Sequence, residues 1–169
     1  NWVWKPEVLK RISKNYKTGE KIPDDLIKKM IDNKNFDSGM LQLRQLFFSK
    51  YDVAVHSTEL KNTTDVYRKM MKDIMLLPMT EGVTPQANFG HLMGGYDSGY
   101  YGYLWARAIS CDLFSEFEKA GIFDSATGKK YRDVILANGR VADDNVPVEK
   151  FLGRKFTEDA LLNYLGLTK

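Results

Sequence analysis

Apolar residues recur along this chain mostly at three- and four-residue spacing, and that rhythm predicts a succession of helices. Pro6 opens the first, running to Tyr16 with Val8, Leu9 and Ile12 on one face and Lys17-Thr18-Gly19 as its stop. IPDD sets up a second, where Asp24 and Asp25 suit the positive end of the helix dipole and Leu26, Ile27, Met30 and Ile31 form the buried stripe. A long third helix is predicted over 39–57, capped by Asp37 or Ser38, with Leu43, Leu46, Phe47, Tyr51, Ala54 and Val55 in register. The fourth, capped by Thr64 or Asp65, carries Tyr67, Met70, Met71, Ile74 and Met75 and stops before Pro78. Residues 79–99 lack periodicity and read as a long irregular connection, a feature that is often functional inside a compact domain. Tyr100 to Ala120 follow as the longest predicted helix, ended by Gly121, and then a helix near 126–136 containing Tyr131, Val134, Ile135 and Leu136. A polar turn, ANGRVADDN, and a short VEKFLG segment lead to a last helix capped by Thr157. No run alternates as a strand does. The expectation is an all-α, multi-helix single domain over 1–169, with a long Gly/Tyr-rich loop before its longest helix.

Composition narrows the function classes. The 169 residues are 43% hydrophobic and 28% charged, with a formal net charge of +3, as in ordinary globular proteins. Lys and Arg are interspersed with Asp and Glu, so no nucleic-acid-binding stripe is expected, and no apolar run has the length of a membrane span. Cys111 is the single cysteine, which excludes an internal disulfide; its place in AISCDLF predicts a small buried hydrophobe. The first residue is Asn1 rather than Met, so a processed product or a piece of a longer protein is expected. Trp2 and Trp4 at that end are expected to need a partner surface to cover them.

The chemistry concentrates in FGHLMGGYDSGYYGYLW, residues 89–105. Gly94 and Gly95 permit positive φ and close backbone approach to a ligand. Tyr96, Tyr100, Tyr101 and Tyr103 each bring an apolar face and a phenolic O–H. In a helix starting near Gly99, Tyr100 and Tyr103 share a face at i, i+3 and Tyr101 points towards the core. Two hydroxyls on one face beside a Gly-rich loop suit recognition of an extended peptide or stabilisation of an oxyanion. A Tyr-rich helix start is most often packing, a lone Gly-Gly is usually a turn, and a lone histidine such as His91 or His56 is commonly a structural hydrogen-bonding group.

This stretch resembles the pattern FGH-L-x-GGYD-x-x-YYGYLW of the M3 family of thimet-type zinc oligopeptidases. The resemblance continues through NWVWKPEVL, YKTGEKIPDDLI, GMLQLRQLFFSKYDVAVH, KKYRDVILANG and FLGRKFTEDALLNYLGL, essentially the whole chain. It implies metal-assisted hydrolysis of short peptides, with zinc held in the complete enzyme by an HExxH helix and a further Glu. By the same resemblance Tyr103 and His91 take catalytic roles, Tyr103 at the oxyanion, while Tyr96 and Tyr100 contact substrate and Gly94 and Gly95 supply loop mobility. The chain departs from the family in one respect. Its two histidines, His56 and His91, form no HExxH, and HSTEL at His56 has the wrong spacing. No metal ligand is therefore expected in this chain, and none bound to it. The reading that follows is the C-terminal, substrate-binding portion of a cytoplasmic zinc metalloendopeptidase, incompetent for hydrolysis alone and partnered by the N-terminal zinc-binding part or a second copy. The alternative is a free-standing ligand- or protein-binding module that has lost its zinc half, with Trp2 and Trp4 as a docking patch.

Overall fold

A computed structural model describes residues 1–57, 59, 62–139 and 141–167. Arg140 of the predicted polar turn, and Thr58 and Leu60 of HSTEL, lie outside these. Among the described residues the fold is all-α, with helices α1 (Pro6–Ile12), α2 (Asp24–Asp32), α3 (Ser38–Ser57), α4 (Thr63–Met70), α5 (Gly102–Ala120), α6 (Ser125–Tyr131), α7 (Asn145–Leu152) and α8 (Asp159–Leu165). They form two compact units, one of residues 37–106 and one of residues 1–36 together with those from 107 onward.

The 37–106 unit is built on the apolar stripe of α3. Phe47 and Tyr51 are fully buried against Tyr67 of α4, Met75 and Leu92. Burying rings of this size contributes about 2 kcal/mol each relative to exposure. The Phe47 and Tyr67 rings meet edge to face at 4.8 Å, and the Tyr51 Oη donates to the Thr63 carbonyl at 3.2 Å. Asn62, rather than Thr64 or Asp65, caps α4, because its side-chain oxygen accepts the N–H groups of both Thr64 and Asp65. A π turn over Met71–Met75 extends α4 and ends at Leu76, whose φ is 58°. From there to α5 the chain is irregular except for 3-10 turns at Pro85–Asn88 and Gly90–Leu92.

In the other unit, Leu113, Phe114 and Phe117 of α5 pack with Val148, Phe151 and Leu152 of α7. Trp2 lies edge-on to Phe114 and Phe117, with ring centroids 4.5 and 4.9 Å away. The apolar face of α5 thus covers part of Trp2, which stays 37% exposed. Cys111 is buried, as expected, and burial pushes its thiol upward. The buried carboxylate of Asp112 receives a bidentate Arg154 and the Thr157 N–H.

Several boundaries moved for identifiable reasons. The first helix ends at Ile12, not Tyr16, because Ser13 turns extended and accepts the Ile22 N–H, while Asn15 accepts the N–H groups of Lys17 and Thr18. Thr157 does not cap α8; its hydroxyl donates to Asp159. The helix after the loop starts at Gly102 rather than Tyr100, so at 19 residues it is second in length to the 20 of α3.

Candidate active site

Two segments of the 37–106 unit build the site. Phe48 on α3 presents its ring to Phe89 at 4.6 Å and to Tyr100 at 5.5 Å. Phe89 and Tyr100 in turn hold His91 between them, with centroids at 5.3 and 5.0 Å. Around His91 the cluster closes with Tyr96 at 5.7 Å and Tyr103 at 5.8 Å. Tyr96 lies stacked on Tyr103 at 5.4 Å and 18°. The His91 Nε2 is 3.2 Å from the Tyr103 Oη, which makes a hydrogen bond whose direction follows the imidazole tautomer.

All four predicted aromatic site residues are thus brought together, although not equivalently. Tyr96 and Tyr103 are 42% and 46% exposed, whereas Tyr100 is 7% exposed. The expectation that Tyr101 turns towards the core is overturned, since Tyr101 is 54% exposed. The reason lies in the backbone. Tyr100 precedes the helix, and its N–H is tied to a buried carboxylate, so turn geometry rather than helical phase sets which ring goes inward. Gly95 has φ +77°, and a Cβ on Gly94 would sit 3.0 Å from the Gly90 carbonyl oxygen, so the loop as it stands favours glycine at both positions. The Tyr103 phenol is pushed above its ordinary value by desolvation within the ring cluster, then by hydrogen bonding to Tyr96 and by the neighbouring Tyr96 and Tyr100 phenols. Its proton is therefore retained through neutral pH, and Tyr103 is a donor.

Beside this cluster opens a cleft of about 700 Å³ walled by Arg44, Phe48, Tyr67, Pro85, Asn88, Phe89, Gly90, His91 and Tyr100. Phe48, Phe89, His91 and Tyr100 belong to both cleft and cluster. The Arg44 guanidinium lies 4.6 Å over the Phe48 ring, and among the described residues no carboxylate pairs with it. Sequence reasoning missed Arg44, Phe48 and Phe89 as site residues.

It also missed Asp52, and reached His56 only as a structural histidine. Asp52 is wholly buried, and its carboxylate accepts the N–H groups of Ser98 at 3.1 Å and Tyr100 at 2.9 Å. His56 places Nδ1 2.8 Å from the Asp52 carbonyl oxygen and Nε2 3.1 Å from that of Leu92. Those contacts raise the imidazole above its ordinary value, the Asp52 carbonyl first, against the opposing effect of desolvation. One signal was present in the sequence: an Asp next to the apolar stripe with a His four residues on, a spacing that places both on one helix face.

Zinc, which the resemblance implies, does not fit the residues in hand. Among the described residues no three His, Cys, Asp or Glu side chains come together as a metal-binding group. What this chain offers chemically is a concave aromatic wall, one guanidinium and a phenol paired with an imidazole. None of its described helices is long and apolar enough to cross a membrane.

The sequence model of Peptidase family M3 matches residues 1–167. The chain is 38% identical over 175 residues to saccharolysin of Saccharomyces cerevisiae, covering 98% of this chain and 24% of that protein. It is 37% identical over 171 residues to a thimet-like oligopeptidase of Dictyostelium discoideum, covering 98% and 25%, and 35% identical over 175 residues to oligopeptidase A of Escherichia coli, covering 99% and 25%. The chain therefore spans about a quarter of the length of the curated relatives it matches.

Proposed function

The chain belongs to peptidase family M3, and on that footing we propose that it supplies the substrate-binding wall and the oxyanion donor of a zinc metalloendopeptidase acting on short peptides. The observation that carries this reading is the Tyr103–His91 pair, 3.2 Å apart at the edge of an aromatic cleft. With His91 as the Nε2–H tautomer, the imidazole donates to the Tyr103 oxygen and leaves the phenol proton directed outward. A protonated phenol at this position donates to negative charge developing on a peptide carbonyl oxygen, and a preset donor of this kind stabilises the transition state more than the ground state. Tyr96, half-exposed and stacked on Tyr103, reaches the substrate backbone, while Tyr100 acts through its ring as part of the wall. Gly94 and Gly95 let the loop that carries them adjust over the substrate.

Arg44 gives the cleft a positive mouth suited to a peptide carboxylate, and its stacking on Phe48 pre-organises the fork. On this reading the zinc ligands and the activation of water belong to another part of the same protease, and the chain alone is not competent for hydrolysis. Its partner in catalysis is the zinc-binding part of the same protease, in a cytoplasmic setting. The test is Tyr103→Phe in the complete protein, which keeps the ring and removes only the hydroxyl. A fall in kcat of about 100-fold is expected. Wild-type kcat in a normally folded variant rules the oxyanion role out.

A further inference from the structure

We propose that Asp52 and His56 are positioning residues that, from one turn of α3, clamp both ends of the 92–100 segment and so set the placement of His91 and Tyr103. This rests on the role given to Tyr103 above.

The geometry is specific to the loop. Asp52 is fully buried, and a carboxylate in that position carries a large desolvation cost unless its oxygens are used. One oxygen accepts the Ser98 N–H at 3.1 Å and the other the Tyr100 N–H at 2.9 Å. Both donors belong to the loop, 46 and 48 positions away in sequence. Ser98 is held at φ 59°, a left-handed conformation that a non-glycine residue adopts only where its surroundings require it. Tyr100 leads directly into α5, since its carbonyl oxygen accepts the Tyr103 N–H at 3.2 Å. The carboxylate thus fixes the residue from which Tyr103 is measured off.

His56 secures the other end. Its two ring nitrogens face two carbonyl oxygens, at 2.8 and 3.1 Å, and a neutral imidazole has only one N–H to give. The imidazolium satisfies both and places a positive charge 3.0 Å from the Asp52 carboxylate. The Leu92 carbonyl that it grips immediately follows His91. Between the anchors lie Met93, which is 91% exposed, and the Gly94–Gly95 pair. The flexible part of the loop is bracketed while the reacting groups on either side of it are held. An apolar residue at position 52 could fill the same volume beside Phe47 and Tyr51; what the charge adds is the bond to the loop.

The experiment is a double-mutant cycle in the complete protein, pairing Asp52→Asn with Tyr103→Phe. An asparagine keeps the shape, but its amide offers one acceptor oxygen and turns an NH2 towards the second N–H. Expected for Asp52→Asn is a kcat lowered about 10- to 100-fold with KM within about 3-fold, as for small misplacement of a reacting group. The double variant should be no slower than Tyr103→Phe alone within about 3-fold, because the clamp acts through Tyr103. Amides of residues 93–101 should exchange faster in Asp52→Asn while α3 keeps its protection. Wild-type kcat for Asp52→Asn beside a slowed Tyr103→Phe overturns the clamp and leaves the oxyanion role standing. Multiplying losses in the double variant also overturn it, since Asp52 would then act apart from Tyr103. If Tyr103→Phe itself has wild-type kcat, the oxyanion role fails, and unchanged exchange over 93–101 then overturns the clamp independently. Should Asp52→Asn fail to fold, His56→Gln, which retains one donor, is read by the same cycle with the same outcomes.

Discussion

Replacing Arg154 by Met would strand a buried carboxylate while keeping a side chain of similar length. Asp112 is 2% exposed, and its two oxygens receive both terminal nitrogens of Arg154 and the Thr157 N–H. Burial alone would lift this carboxyl; the Arg154 hydrogen bonds, the Thr157 N–H and the Arg154 charge together hold it below its ordinary value. Losing one partner of a buried pair costs about 3–5 kcal/mol. Arg154 is 39% exposed and the Thr157 donor remains, so solvent screening brings the expected loss to about 2–3 kcal/mol. For a chain of this size that corresponds to a fall in Tm of about 5–10 °C. The sign with pH is specific. A carboxyl depressed in the folded state contributes stability that is present above its unfolded pKa of about 3.9 and lost as pH falls through the folded value. In the variant, burial is opposed only by the Thr157 N–H and the weaker charge of Lys119, so the carboxyl shifts upward and its protonation on acidification relieves the penalty. The gap between wild type and Arg154→Met is therefore widest near neutral pH and closes towards pH ~3. Calorimetric melts from pH ~7 to ~3 measure it. A fall under about 2 °C at neutral pH, or a gap indifferent to pH, refutes the reasoning.

Two further outcomes test the candidate site. Gly95→Ala meets no atom within 4 Å but must adopt φ +77°, so a stability loss of about 1 kcal/mol is expected from backbone conformation alone, measurable by denaturant unfolding; no loss would mean that the loop relaxes to another turn. Arg44→Met in the complete protein should raise KM by about 5-fold for peptides with a free C-terminal carboxylate and leave kcat and amidated peptides unaffected; an equal rise for both classes removes the carboxylate-reading role.

The stretches of this protein that were legible in advance are those governed by local physics. The stripe on α3, with Phe47 and Tyr51 in register, follows from the 3.6-residue period, which any amphipathic helix shows before it meets a neighbour. Concentration of His91, Gly94, Gly95, Tyr96, Tyr100 and Tyr103 in one segment was likewise visible, because proximity in sequence guaranteed proximity in space. Their orientation was not. Whether Tyr100 or Tyr101 turns inward depends on a hydrogen bond from the Tyr100 N–H to Asp52, a residue 48 positions earlier.

Local pattern also could not separate one charged residue on a helix from another. Asp52 and Asp112 stand beside apolar stripes much as exposed carboxylates do, and only their distant partners make them buried anchors. Ser98 and Tyr100 come to Asp52 across the loop, Leu92 comes to His56 from 36 positions away, and Arg154 comes to Asp112 from 42. Sequence by itself determined which segments are helical and which one is unusual. Tertiary structure decided which polar groups are worth burying, because the free energy of a buried charge is set by the donors that fold against it and not by its neighbours along the chain.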